Sequence, residues 1–178
     1  MGKGFPRSLK HADKSTVRVA RIDVSETLSV TGSTGAAVDQ TAVIGDFPEG
    51  NILLLGAVAN LTFSGPGANG DLSDTWAGDF SVGSTPADDN TLTAADIDMV
   101  GSTALAAATA EVGVATRGAM GSDATDGGLL VELLDNTDGS LEINLNLLVD
   151  ADDITNAVAV DITATGQVYY AYCVLGDD

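Results

Sequence analysis

The chain is predicted to be all-β, a two-sheet antiparallel sandwich or jelly roll with one short helix and an extended N-terminal arm. Three observations lead there. Apolar and polar residues alternate over many short runs, and clusters of Gly and Asp divide those runs at regular intervals. The acids are mostly Asp rather than Glu, and Asp bonds its local backbone, which favours turns over long helices. Short strands separated in this way fit two packed antiparallel sheets better than a parallel α/β sheet.

Residues 1–15 contain Gly2, Gly4, Pro6 and Ser8 with little apolar periodicity, so they read as an extended arm without fixed structure of its own. Over 16–30 the residues become β-favouring, with Val17, Val19, Ile22, Val24, Leu28 and Val30. A break is expected near Glu26 and a stop at the turn cluster 31–35. Residues 41–44 form a short candidate strand, stopped by Asp46, Pro48 and Gly50. In 51–63, Ile52, Leu54 and Val58 alternate with Leu53, Leu55, Ala57, Ala59, Leu61 and Phe63, so both faces are apolar. Such a strand lies inside a sheet or is covered by another subunit.

A turn follows at 64–71, then a strand over 76–82 and a loop over 84–90. Thr93 with Asp96 three residues later resembles a helix start, which Gly101 limits to about two turns. Residues 105–115, rich in Ala and Thr, are compatible with helix or strand. The runs 129–134 and 141–149 flank an Asp-Gly turn and predict a hairpin. In its second strand Leu141, Ile143, Leu145, Leu147 and Val149 would face the core, leaving Glu142, Asn144 and Asn146 in water. After an acidic turn at 150–156, Val158, Val160 and Ile162 alternate with polar neighbours. Thr165, Gly166 and Gln167 then predict a turn into a last strand, 168–175, apolar on both faces.

Formal net charge is −19, and its distribution is uneven. Six of the seven basic residues, Lys3, Arg7, Lys10, Lys14, Arg18 and Arg21, precede residue 22, where Asp13 is the sole acid, so this segment carries +5. The remainder sets Arg117 against 25 acids and carries −24. Two units follow: 1–21, a basic arm leading into the first strand, and 22–178, an acidic β body. The body repels DNA, RNA and anionic lipid over a Debye length of roughly 8 Å.

Cys173 is the lone cysteine, so no intrachain disulfide is expected. No apolar run reaches the ~18 residues of a membrane helix. The N-terminus also lacks the apolar stretch of a secretory signal, so synthesis in the cytoplasm is expected.

Chemistry-bearing motifs are weak. Gly65, Gly67 and Gly70 match G-x-G-x-x-G, but Pro66 lies inside the motif and no helix pattern follows, so a hairpin loop is expected. Asp135, Asp138 and Glu142, and separately Asp150, Asp152 and Asp153, could be calcium ligands, but neither group has the EF-hand spacing. Asp-rich turns explain both. The one histidine, His11, lies on the arm, and no nucleophile elbow is present, so no enzyme activity, metal or cofactor is expected.

The arm carries enough cations to meet phosphates, yet Phe5 is its lone ring and the body opposes a polyanion. A nucleic-acid partner is therefore not expected. Lys3, Phe5, Arg7, Lys10, Lys14, Arg18 and Arg21 are read instead as a docking arm for an acidic protein surface or a neighbouring subunit. Tyr169, Tyr170 and Tyr172 are either core residues or a self-association surface.

Three segments, GDFPEGNILLLGAVANLTFSG (45–65), WAGDFSVGSTPADDNTLTAADIDM (76–99) and GQVYYAYCVLGDD (166–178), resemble the head decoration or cement proteins of tailed phages. The resemblance rests on texture across the body from about residue 40. It implies a β-rich, non-enzymatic virion protein on the outer surface of the capsid, made in the host cytoplasm. Its implied partners are the major capsid protein and further copies of itself, as dimer or trimer, with a terminal arm clasping the shell. The alternative is a phage fibre or adhesin-type carbohydrate-binding module in which Trp76 and the tyrosines are exposed stacking platforms.

Overall fold

A computed structural model describes residues 17–66, 70–105, 114–119 and 132–176. Its strands are β1 (Arg18–Thr31), β2 (Val38–Asp46), β3 (Gly50–Ser64), β4 (Gly78–Gly83), β5 (Val100–Leu105), β6 (Val114–Ala119), β7 (Glu132–Asn136), β8 (Glu142–Val149) and β9 (Ala159–Gly176). Every ladder between them is antiparallel. The pairs β4·β5, β3·β6, β2·β8 and β1·β9 nest one inside the next, as in a long two-stranded ribbon with β4 and β5 at its tip. Rolling that ribbon up adds β3·β9 and β4·β8. The result is two sheets, β1-β9-β3-β6 and β2-β8-β4-β5, with β7 also paired to β3. This strand order decides between the two predicted architectures in favour of the jelly roll.

The all-β expectation holds, and the core lies between the two sheets. Leu28, Val30, Ile162, Val168 and Leu61 from one sheet meet Ile143, Leu145, Leu147, Phe80 and Val82 from the other. Phe63 and Phe80 bridge the layers with ring centroids 5.4 Å apart. Each fully buried side chain of this kind contributes roughly 1.5–3 kcal/mol relative to exposure. At one seam Ile22 of β1 packs over Gly45 of β2, bringing the edges of the two sheets together.

Several local expectations change. β1 runs through Glu26 without a break, because β9 pairs with it along its whole length. The two runs around Asp135–Gly139 do not form a hairpin: β7 joins β3 while β8 joins β2 and β4, so the turn carries the chain from one sheet to the other. Asn136 holds that crossing, donating to Phe47 and Pro48 carbonyls at 3.1 and 2.9 Å and accepting from Leu141 N at 2.8 Å.

No turn occurs at 165–167 either. β9 is continuous through Gly166, whose φ of +141° and close approach to the Asn60 carbonyl leave no place for a Cβ. The expected short helix is a single 3₁₀ turn, Ala94–Asp96.

β3 shows why both of its faces look apolar in sequence. The ladder to β9 slips between Leu54 and Gly56, so Leu55 is an extra, bulged residue. Ile52 and Leu54 point inward before it, and Ala57, Ala59, Leu61 and Phe63 after it. Leu53 and Val58 are left on the outer face, half-buried.

Candidate interaction surfaces

The arm residues Lys3, Phe5, Arg7, Lys10 and Lys14 lie outside the described residues. Arg18 and Arg21 belong to β1, and both are exposed. Arg21 donates to Asp23 Oδ2 at 2.8 Å, a pair open to solvent on both sides. Such pairs contribute about 0–1 kcal/mol.

The three tyrosines separate by strand alternation. Tyr170 faces inward at 5% exposure, its ring edge-on to Phe47 with centroids 5.9 Å apart and stacked on Tyr172 at 5.2 Å. Tyr172 is half-buried against the core. Tyr169 faces outward and is exposed. Of the three, Tyr169 is the one the fold leaves on the surface. Burial, aided by Tyr172, raises the pKa of Tyr170 above its ordinary value of 10.0.

That shift has a sign. A folded-state pKa above the unfolded one favours the native state below pH 10.0, and the contribution is lost as pH rises through the folded value. Tyrosinate absorbance is therefore expected to rise with a late component above pH 10.0 that Tyr170→Phe removes.

Trp76 is 1% exposed. It cannot serve as a stacking platform, which removes the main recognition residue of the carbohydrate alternative. Aromatics that bind sugar must present a face, and apolar alternation alone does not tell a core indole from a displayed one.

The outer face of β8 is also not what its sequence pattern indicates. Asn144 and Asn146 are 2% and 0% exposed, not wet. Residues 84–99 fold back over Asn146 as a cover. Asn146 Oδ1 accepts from Thr41 Oγ1 at 2.8 Å and Ala87 N at 3.0 Å, and its Nδ2 donates to Thr85 and Asp96 carbonyls, both at 3.1 Å. Ser81 Oγ donates to the Asp96 carbonyl at 2.7 Å. Gly83 lets the 3₁₀ turn lie directly on β4, since a Cβ there would meet Ala95 and Asp96 backbone. A buried, fully bonded amide is the polar counterpart of a core residue.

The Asp-rich segments are turn chemistry. Asp135 Oδ1 accepts from Thr137 N and Oγ1 at 3.1 and 2.8 Å, and Asp138 Oδ1 from Ser140 N and Oγ at 3.0 and 2.8 Å. The bonds from Ser140 hold the exposed Asp138 carboxyl below its ordinary pKa. Asp152 accepts from Gly35 N and Asp153 from Ala77 N, both at 2.9 Å, which ties loops at one end of the roll. Among the described residues no group of three or more His, Cys, Asp or Glu could hold a metal. No helix among them is long and apolar enough to cross a membrane.

No family model matches the chain, and no curated protein matches it. Among solved structures, a chain described as "Cyanophage Pam1 capsid asymmetric unit" is similar over 98% of this chain and 90% of that one. The identity is 19% and the TM-score 0.40. A likeness this distant carries no argument about function.

Proposed function

We propose that this protein is a non-enzymatic structural component of a phage virion that decorates and stabilises the capsid from outside, fastened by its basic leading segment. The observation that carries the reading is the division of charge: +5 over residues 1–21 against −24 over the rest. A sheet-built acidic body is soluble and repels polyanions, while a cationic segment finds acidic protein surface. The jelly roll supports the same reading by analogy of fold, since this architecture serves viral capsid and lectin domains alike. The resemblance of residues 45–65, 76–99 and 166–178 to decoration proteins points the same way.

Mechanistically the body acts as a rigid block, and each arm orders on the shell across a seam between shell subunits. Several arms on one oligomer act together, so individual contacts can be weak. Cosedimentation of the full chain with assembled shells lacking it is the test. Binding at a fixed ratio to the major capsid protein is expected, with affinity falling as salt is added, because exposed charges are screened. Absence of binding would overturn the reading, and binding indifferent to salt would remove the arm's cations from it.

A further inference from the structure

The cover over β8 is a loop closed on itself. Its ends meet where Ser84 N donates to the Ala95 carbonyl and to Asp98 Oδ1, both at 2.9 Å, and Ser84 Oγ donates to Asp98 Oδ2 at 2.5 Å. Met99 N closes the neck on the Val82 carbonyl at 3.1 Å. Compact loops with adjoining ends, held by their own side chains, are Ω-loops. None of the described residues 84–99 joins a strand ladder. Side chains fasten the loop to the sheets instead: Asn146 and Ser81 beneath it, and at its tip Asp39, whose Oδ1 accepts from Asn90 N at 3.1 Å.

At the 3₁₀ turn, donors outnumber the lone pairs that face them. The turn lies on Gly83, which stands directly across from Asn144 in the β4·β8 ladder. Residues paired in this way share a face with Cβ positions about 5 Å apart, which sets the Asn144 amide beside the Ala95 and Asp96 carbonyls. A carbonyl oxygen has two lone pairs. Those of Ala95 take Ser84 N at 2.9 Å and Thr85 N at 3.3 Å. Those of Asp96 take Ser81 Oγ at 2.7 Å and Asn146 Nδ2 at 3.1 Å. Both carbonyls are full, and Asn144 Nδ2 is buried without a hydrogen-bond partner.

We propose that residues 84–99 act as a lid that opens as a unit while both sheets stay paired, and that Asn144 keeps the lid close to opening. A dry, unpaired donor weakens the closed state roughly 10- to 100-fold, whereas the open state gives Asn144 to water. The bonds broken on opening are ones that water also makes, and no ladder is lost. Open, the lid uncovers a row of hydroxyls and amides on β2, β8 and β4: Thr41, Ser81, Asn144 and Asn146. The inference rests on neither the arm nor the shell.

Hydrogen exchange of the full chain in urea below its unfolding transition tests it. The amides of Ala87, Asp96 and Met99 are expected to exchange through an opening with a weaker urea dependence than the amides of β9, because that opening exposes little surface. Asn144→Leu, which keeps the size of the side chain and deletes the donor, should slow their exchange about 10-fold. Exchange of these amides together with β9, at one rate ratio and one urea dependence, overturns the lid. A native-like Asn144→Leu whose cover exchanges as fast as before, or faster, overturns the role of Asn144. Should leucine unfold the chain, the smaller Asn144→Val decides by the same criterion, and the native chain alone still decides whether the cover opens as a unit.

Discussion

Deleting residues 2–15 is expected to abolish association with shells while leaving the jelly roll folded. The folded part of the expectation follows from the ladders: β1 begins at Arg18 and pairs with β9 from Arg18↔Tyr172 to Thr31↔Ala159, all beyond the deletion. Circular dichroism and the denaturation midpoint should match the full chain. The binding part follows from the cations. The deletion removes Lys3, Arg7, Lys10 and Lys14 together with Phe5, and retains Arg18 and Arg21.

Each exposed charge contact contributes about 0.2–1 kcal/mol, so one arm alone binds weakly. Arms acting together through a common body multiply affinity by roughly 10²–10⁴, and the deletion removes that factor along with the contacts. A truncated protein that decorates shells at full affinity would show that the acidic body, not the arm, makes the attachment.

Asn146→Ala is expected to be among the most destabilising single substitutions in the body. It leaves the Ala87 N–H and the Thr85 carbonyl without their side-chain partner, the Asp96 carbonyl with Ser81 Oγ alone, and Thr41 Oγ1 without one of its two acceptors. A buried polar group left unpaired costs about 1–3 kcal/mol. The cover over 84–99 can open and let water reach some of these groups, so the net loss is about 3 kcal/mol rather than the full sum.

Two measurements check this. The urea midpoint should fall, and amide exchange should accelerate across 84–99 more than in β9. If stability stays within about 0.5 kcal/mol of the native value, the cover is not held by this amide.

The strands are largely legible in the residue pattern. Alternation in 16–30, 141–149 and 158–163 marks β1, β8 and the start of β9, and the Asp-rich turns behave as their composition indicates. Within the site, composition singles out Tyr169, Tyr170 and Tyr172 as a group. Packing divides them, placing Tyr170 against Phe47 and leaving Tyr169 outside. Nothing in the local pattern marks Val19 and Leu133 as surface residues. The available signal is the doubly apolar run 51–63, which allows for cover by another subunit; its outer remainder is Leu53 and Val58, and Leu53 lies beside Leu133.

Alternation, turn chemistry and the separation of charge are properties of residues and their near neighbours, and the sequence alone determined them. Sheet partners, the dry face of β8 and the unbroken course of β9 were decided only in three dimensions. The reason is distance along the chain: the carbonyls that make Asn146 a core residue come from positions 61 and 50 residues away. The strands that force Gly166 to stay extended are β1 and β3, from the far end of the sequence. Nothing local to an asparagine or a glycine announces partners so remote, whereas a valine between two polar residues already shows which way a strand must face.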